Sequence, residues 1–188
     1  MHNKTKGELT RERIIEEAAK LFLKKGYANT SLKDILDKTN LAKGSFYFQF
    51  KSKTELGVAV AEYYREGIKR WFNLRVHESE GWSDFIKKIV ADINDKVRTG
   101  EYYGCPFTIF ATEISVTEPE IRKHCEAALI DFVEIFKRQI EKDESKKEQS
   151  EKLAVAALNL YEGFMVSYRI TFNPRMIQYM EEALSQFI

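Results

Sequence analysis

Residues 43–50, Lys-Gly-Ser-Phe-Tyr-Phe-Gln-Phe, combine side chains that suit the recognition of another molecule. At about 100° per residue, Phe46 and Phe50 share one face of a helix, which we expect to turn into a core. The other sides of the helix carry small, hydrogen-bonding and aromatic residues, namely Gly44, Ser45, Tyr47, Phe48 and Gln49. Hydroxyls and amides can hydrogen-bond the edges of DNA bases, an apolar ring can contact a thymine methyl group, and glycine allows close approach. The pattern predicts a DNA-reading surface; an ordinary core role for Phe-Tyr-Phe is the alternative.

Other residues near this segment suit the phosphate backbone of DNA. Lys43, Tyr47 and Lys53 are expected to contact phosphates, which position a protein without reading the base sequence. Thr30 and Ser31 precede a short helix, and the N-terminus of a helix can bind phosphate as well. We therefore include both residues among the candidate DNA contacts.

Two short helices joined by a tight turn must position these side chains. Ser31 and Asp34 form a capping box at the start of the first, and residues 39–41 form the turn. Asn40 is a residue type that tolerates the left-handed conformation such a turn needs. In this arrangement the second helix, about residues 43–50, can lie in the major groove.

The remaining chain shows helical periodicity without strand alternation. We expect a mobile arm over residues 1–9, a helix from about Thr10 to Lys25, and a long helix from Ser52 to about Arg75. Further helices are expected over residues 85–100, 105–115, 119–142, 150–171 and 174–187, with a charged, flexible linker over residues 143–149. The prediction is an all-α fold of about nine helices. A helix-turn-helix head (residues 1–55) precedes an effector-binding and dimerisation body (residues 56–188).

Charge divides along the same boundary. The head holds 12 Lys/Arg and 7 Asp/Glu, a balance of +5, and the body holds 18 and 22, a balance of −4. A basic head on a mildly acidic body is expected of a protein that binds nucleic acid. Two cysteines, no signal peptide and no long apolar run predict a cytoplasmic protein without a membrane partner.

Enzyme functions find little support. The three histidines, His2, His77 and His124, have no metal-ligand spacing. There is no phosphate-binding glycine loop and no nucleophile elbow. We expect neither an enzyme nor a cofactor, and a scaffold that merely dimerises is the stronger rival to a DNA-binding regulator.

A family resemblance strengthens the DNA-binding interpretation. Several segments look like the DNA-binding domain of the TetR family. They are residues 10–22 (TRERIIEEAAKLF), Lys25-Gly26-Tyr27, Thr30-Ser31, Ile35, residues 43–50 and Ser52-Lys53 with Glu55-Leu56. The resemblance covers about residues 10–57 and implies a three-helix head, with Tyr47 and Lys53 on phosphates. It also implies a dimeric repressor, released from double-stranded operator DNA by a small-molecule effector. The sequence departs from the family at Thr39, Asn40 and Ala42, and Ala42 lacks the usual capping hydroxyl.

The body resembles a C-terminal variant of the same family through Gly104-Cys105-Pro106-Phe107 and the residues that follow, up to Arg122. Some members of that variant are thought to respond to electrophiles or aromatic compounds. Aromatic residues of the body could line a mostly apolar pocket, although each could equally be core. The candidate effector contacts are Cys105, Phe72, Tyr103, Phe107, Phe110, Phe132, Tyr161 and Phe164.

Two further hypotheses concern the body. The last two helices carry small residues, such as Ala156 and Gly163, beside apolar ones, which predicts a two-fold homodimer interface. Cys105 precedes Pro106 and is expected to cap the N-terminus of a helix, whose dipole favours a reactive thiolate. The alternative is an inert buried thiol. Cys125 lies in mid-helix and serves as the control.

Overall fold

The computed structural model describes residues 4–100, 102–114 and 117–188. Over these residues the chain forms α-helices and one 3-10 helix but no β-strand, which confirms the predicted all-α fold. The α-helices are α1 Lys6–Lys25, α2 Leu32–Thr39, α3 Lys43–Gln49, α4 Lys53–Glu78, α5 Trp82–Arg98, α6 Pro106–Ile114, α7 Pro119–Ile140, α8 Ser150–Thr171 and α9 Arg175–Phe187. The 3-10 helix, Glu144–Gln149, precedes α8.

The first helix begins four residues earlier than the sequence predicts. Thr5 caps α1: its hydroxyl accepts from the backbone N–H of Glu8 at 3.2 Å, and the Glu8 carboxylate accepts from the Thr5 N–H at 2.7 Å. This capping box satisfies two of the backbone donors that every helix start leaves free. The expectation of a mobile arm is therefore wrong for residues 6–9, and residues 1–3 lie outside the described chain.

Other boundaries also differ from prediction, and α5 begins at Trp82 rather than Phe85. The linker expected over residues 143–149 is a 3-10 helix, because the Asp143 carboxylate accepts from the N–H and the hydroxyl of Ser145 at 3.0 and 2.7 Å. Helix α4 continues to Glu78, three residues beyond the expected end at Arg75. The expected end of α6 at Ser115 lies outside the described residues.

The chain divides into two compact units. The first comprises Met1–Glu66 and Ile109–Cys125, and the second comprises Gly67–Thr108 and Glu126–Ile188. The sequence analysis instead divided the chain by function, into a DNA-binding head up to residue 55 and an effector-binding body from residue 56. That division stays a prediction. Helices α4, α6 and α7 each contain residues of both units.

Aromatic side chains form the centre of the first unit. The ring of Phe22 lies 5.1 Å from that of Tyr27 and 5.7 Å from that of Phe110, measured between centroids. Tyr64 packs edge-on against Phe110 at 5.9 Å, and its hydroxyl donates to the Ala19 carbonyl oxygen at 2.6 Å. Such ring pairs each contribute about 0.5–1.5 kcal/mol beyond simple burial. They fix α1 against α4 and α6 within this unit.

A second aromatic cluster lies in the second unit, around the fully buried Phe72 of α4. Its ring centroid is 5.3 Å from Phe136 and 5.5 Å from Phe132, both on α7, and 5.9 Å from Tyr161 on α8. Phe107 of α6 extends the cluster through Phe132 at 5.5 Å. Four helices of this unit thus meet at one aromatic core.

Within the part of the chain that the structure describes, none of the helices combines the length and apolar character that spanning a membrane would require.

Candidate nucleic-acid interface and effector site

The turn between α2 and α3 has the geometry that the sequence predicts. Asn40 adopts a left-handed conformation, with φ 51° and ψ 44°, and its N–H donates to the Leu36 carbonyl oxygen. The guanidinium of Arg13 donates to the Thr39 carbonyl oxygen at 2.8 Å. Since the last carbonyls of a helix lack partners within it, this bond both satisfies the end of α2 and ties it to α1.

Helix α1 also holds the C-terminal end of α3. Arg11 donates to the Gln49 carbonyl oxygen at 2.6 Å, and its guanidinium carbon lies 4.0 Å from the centre of the Phe50 ring. Phe46 and Phe50 are each 1% exposed, so the predicted inward face of α3 is confirmed. At the other end, Ala42 makes no side-chain capping bond. Packing against α1, rather than an N-cap, therefore positions α3.

The outward face of α3 is open to solvent. Phe48 is 85% exposed and Tyr47 is 48% exposed, although both rings are large and apolar. Lys43, Gly44 and Ser45 are exposed, and a side chain added at Gly44 would meet no atom within 4 Å. Exposed apolar area of this kind, surrounded by hydrogen-bonding groups, marks a surface for a partner. The structure thus presents Ser45, Tyr47 and Phe48 together, with the half-buried Gln49 at the end of the helix.

Lys53 lies in the first turn of α4 and contacts the Gly26–Ala28 turn. Its ammonium group donates to the Tyr27 carbonyl oxygen at 2.6 Å and lies 4.3 Å from the centre of the Tyr27 ring. Burial lowers the pKa of Lys53, which the nearby carboxylates of Glu118 and Glu113 oppose. Lys53 therefore has a structural role within the protein, which the sequence did not indicate.

The start of α2 is less suited to phosphate than expected. Thr30 is fully buried and its hydroxyl donates to the Gly26 carbonyl oxygen at 2.7 Å, so its side chain does not face the surface. The Ser31 hydroxyl is exposed but donates to the Asp34 carboxylate at 2.6 Å. That carboxylate already supplies negative charge at this helix end, and Lys25 contacts it at 2.6 Å. The expectation of a phosphate contact from the Thr30 side chain is wrong.

Four of the eight candidate effector contacts lie together in the second aromatic cluster. Phe72, Phe107, Phe132 and Tyr161 are each at most 4% exposed. Tyr103 is half-buried, and the guanidinium carbon of Arg169 lies 5.7 Å from its ring centre. The four clustered rings pack against one another, and their contact with an effector stays a prediction.

Two other candidates lie elsewhere. Phe110 belongs to the aromatic cluster of the first unit, with Phe22, Tyr27 and Tyr64. Phe164 borders a shallow surface groove on α8, together with Leu160 and Gly163. These two residues therefore do not join the other four candidates, and their contact with an effector stays a prediction: helical spacing identifies apolar positions but does not say which core or surface they join.

Cys105 does not have the predicted properties of a reactive thiolate. Its Sγ donates to the Glu162 carboxylate at 3.0 Å, and the residue is 3% exposed. Burial and the neighbouring Glu162 raise the pKa of the thiol well above its usual value, and the helix N–H groups of Phe107 and Thr108 oppose this shift without overcoming it. The helix-end effect exists as expected, but it is outweighed. Burial also raises the pKa of Cys125 to about 11.

Glu162 is a further candidate for the effector site, which the sequence analysis missed. Its carboxylate accepts hydrogen bonds from Cys105 and from the Thr108 hydroxyl, and burial raises its pKa. The described residues place no cation within bonding distance of this carboxylate. Acidic residues are mostly solvated, so a single sequence gives no reason to place this one inside. Its position beside Tyr161 adds a polar group to the aromatic cluster.

The exposed side of α8 carries apolar residues. Val155 is 44% exposed, Val166 is 38% exposed and Ile170 is 75% exposed. Ala156 and Gly163 border the groove on the same helix, where small side chains allow a second helix to come close. This is the surface from which the sequence predicted a homodimer interface.

The described residues contain no cluster of three or more His, Cys, Asp or Glu side chains that could hold a metal ion.

Two family descriptions match the chain. "Bacterial regulatory proteins, tetR family" matches residues 14–60, and "Transcriptional regulator LmrA/YxaF-like, C-terminal domain" matches residues 81–183, more than half of the sequence. Among curated proteins, an HTH-type transcriptional regulator from the lacX 3′ region of Lactococcus lactis is 34% identical over 65% of this chain. That match spans 64% of the relative's own length, a little under two thirds.

Two further regulators and a solved structure are similar over different shares of the chain. LmrA of Bacillus subtilis is 23% identical over 82% of this chain and 83% of its own length. The negative transcriptional regulator IcaR of Staphylococcus epidermidis is 30% identical over 46% of this chain and 48% of its own. A regulator from Cytophaga hutchinsonii has the same fold, with a TM-score of 0.86 and 26% identity over 99% of this chain and 96% of that one.

Proposed function

This chain belongs to the TetR family of transcriptional regulators, and on that basis we propose that it is a repressor that binds a near-palindromic operator as a homodimer and leaves it on binding a small-molecule effector. The exposed face of α3 is the observation that carries the proposal. Phe48 exposes 85% of its surface beside Ser45 and Gly44, while Phe46 and Phe50 hold the opposite face in the core. A ring this exposed gains by contact with a thymine methyl group.

The name of one relative supports the proposal that this chain represses transcription. IcaR is named a negative regulator, and its similarity covers nearly half of this chain. A dimer places two α3 helices in successive major grooves, about 10 base pairs or a somewhat larger spacing apart. The exposed apolar side of α8 supports that dimer, because removing apolar surface from water between two subunits stabilises their association.

The effector is proposed to bind beside the aromatic cluster of the second unit, close to Glu162. Phe72, Phe107, Phe132 and Tyr161 are closed over in this structure, so the ligand would have to part these rings to reach their apolar surface. The Glu162 carboxylate would supply a hydrogen-bonding group. An aromatic or apolar ligand suits such a wall. An electrophile that reacts with Cys105 is less well supported, since burial and Glu162 raise the pKa of the thiol and the residue is only 3% exposed.

Helix α6 supports a route from effector to DNA. Near its start, Cys105 and Thr108 hydrogen-bond Glu162. Near its end, the Glu113 carboxylate accepts from the Ala28 N–H at 3.1 Å, in the turn that follows α1. Coupling requires that the ligand prefer one arrangement of the protein over another. A ligand that displaces α6 would act on the turn at residues 26–28. The distance between the two DNA-binding heads of the dimer would then no longer match two successive major grooves of the operator.

DNA binding can be tested by selecting bound sequences from random DNA and then measuring affinity for the selected operator by fluorescence anisotropy. Phe48→Ala should weaken operator binding while leaving the melting temperature unchanged, because the ring makes no core contact. Leu74→Ala is the control, since Leu74 is another exposed apolar residue, at 48%, but lies on the body part of α4. If no sequence is enriched, or if Phe48→Ala binds as tightly as the parent, the chain is better described as a dimerising scaffold.

A further inference from the structure

A cavity lies in the second unit, away from the residues that contact Glu162. Its volume is about 550 Å³, within the range of small-molecule sites. The segment before α5, the end of α7 with the turn that follows it, and the end of α9 form its walls. Trp82, Gln139, Ile140 and Ser185 are among the residues that line it.

Two of these residues carry polar atoms without a hydrogen-bond partner. Gln139 is 1% exposed, yet neither its amide nitrogen nor its amide oxygen is hydrogen-bonded within the described chain. The Ser185 hydroxyl, on α9, is buried and unpartnered in the same way. Buried polar groups are nearly always bonded, because leaving one without a partner costs stability. Both residues line the cavity, while these polar atoms are themselves covered, so a rotation of the two side chains toward the cavity would let a bound molecule supply the missing partners.

The charges around the cavity restrict what that molecule can be. Glu80, Asp143 and Glu144 bring three carboxylates to its lining. The one cationic lining residue of the described chain, Lys142, donates to the carbonyl oxygens of Val76 and Ser79 at 2.8 and 2.7 Å. These bonds hold the ammonium toward the backbone without cancelling its charge, and the three carboxylates outnumber it, so the lining is acidic on balance. An anion would be repelled from such a site, whereas a neutral or cationic molecule would not.

Trp82 and Ile140 provide the apolar part of the lining. The Trp82 indole N–H donates to the Leu184 carbonyl oxygen at 2.7 Å, which fixes the ring, and its centroid lies 5.5 Å from that of Phe136. An aromatic ring fixed in the lining of a cavity favours a flat ligand with an apolar body.

We propose that this cavity binds a neutral or cationic aromatic carboxamide, whose adjacent donor and acceptor pair with the amide of Gln139 and the hydroxyl of Ser185. The pairing is complementary because a carboxamide offers an N–H and a C=O on one edge, as glutamine does. The site does not depend on DNA binding or on the effector proposed above. It would give this regulator a second small-molecule input.

The test uses the full chain and benzamide as the probe. Trp71→Phe leaves Trp82 as the single tryptophan, since the chain has two. Benzamide should change the Trp82 emission saturably, with a dissociation constant in about the millimolar range, and should raise the melting temperature. Benzoate, which has the same ring but is an anion without the N–H donor, should do neither.

Two glutamine variants in the Trp71→Phe background assign the effect to the cavity. Gln139→Leu should weaken benzamide binding by roughly tenfold or more and should itself melt at a higher temperature, because it removes a buried amide without partners. Gln149→Leu changes an exposed glutamine in the 3-10 helix and should bind benzamide like its parent. The proposal is overturned if benzamide leaves the Trp82 emission and melting temperature unchanged, if benzoate binds equally well, or if Gln139→Leu retains full affinity.

Discussion

The ammonium group of Lys53 lies 2.6 Å from the Tyr27 carbonyl oxygen and so joins the start of α4 to the turn that follows α1. An ammonium has three hydrogens, so one bond to the protein leaves two for other acceptors. The same residue can therefore hold the head together and contact a phosphate. Tyr27 is held in turn by Glu118, which accepts from its hydroxyl at 3.1 Å, and burial raises the pKa of that hydroxyl to about 12.

Lys53→Ala should therefore lower both stability and operator affinity. The loss of affinity should be similar for all DNA sequences, and the slope of log affinity against log salt should fall by about 0.9, the value for one phosphate contact. Tyr47→Ala is the comparison, since Tyr47 is 48% exposed: it should weaken DNA binding with little change in the melting temperature. An unchanged salt slope for Lys53→Ala would show that this lysine serves the fold alone.

Ser45 and Gln49 should control base preference rather than overall affinity. Replacing either by alanine removes hydrogen-bonding groups that are proposed to face base edges, so discrimination at one operator position should fall by about 1–3 kcal/mol. Affinity measured across single-base variants of the selected operator checks this. A uniform loss at every position would instead assign the two residues to the phosphate backbone.

Ala42→Ser should stabilise the protein. Helix α3 begins without a side-chain cap, and a serine there can accept from a free N–H of the first turn, which is worth about 0.5–2 kcal/mol. Ser31→Ala is the reverse case, because Ser31 caps α2 with a bond to the Asp34 N–H at 3.1 Å, and it should destabilise by a similar amount. Urea unfolding measures both. No gain from Ala42→Ser would mean that packing against α1 already satisfies this end of α3.

Glu162 should make stability depend on pH. Burial raises its pKa above the ordinary 4.5, so the folded protein binds more protons than the unfolded chain in the interval between the two values. The free energy of unfolding should therefore fall as pH rises above about 4.5. Glu162→Gln should remove this slope and be the more stable protein at neutral pH. If the parent and the variant show parallel pH profiles, the carboxylate is ionised in the folded state at no cost.

Ile170→Glu should separate the proposed dimer into monomers. Ile170 is 75% exposed on the apolar side of α8, so a charge at this position would have to be buried between the subunits. Ile130→Glu is the control, because Ile130 is 60% exposed but lies on α7. Light scattering gives the mass of each at micromolar concentration. A parent protein that is monomeric and still binds a half-site tightly would contradict the dimer.

The sequence predicted local structure well where a single rule of backbone conformation or helical periodicity determines a residue's position. Asn40 in the turn and Phe46 and Phe50 inside α3 follow from backbone and periodicity rules, and the structure confirms all three. The start of α1 was missed although Thr5 and Glu8 form a capping box that can be found in the sequence. The polar composition of residues 1–9 suggested an arm instead.

The surroundings of the proposed effector site could not be predicted to the same degree, because they depend on contacts between distant parts of the chain. Phe107 and Phe110 lie one turn apart on α6 and look alike in the sequence. Phe107 packs against Phe132, and Phe110 packs against Phe22. Glu162 is hidden for the same reason: only the fold brings it to Cys105, 57 positions away. Periodicity identifies a buried face but not its neighbours.

The division of α3 into an inner and an outer face has a consequence for the evolution of this protein. The residues that anchor the helix, Phe46 and Phe50, make the core contacts, whereas Ser45 and Phe48 on the outer face make none that the fold requires. Substitutions on the outer face are therefore nearly free of stability cost. After duplication of its gene, a copy of this regulator can acquire a new target site by changing these positions while its architecture stays the same.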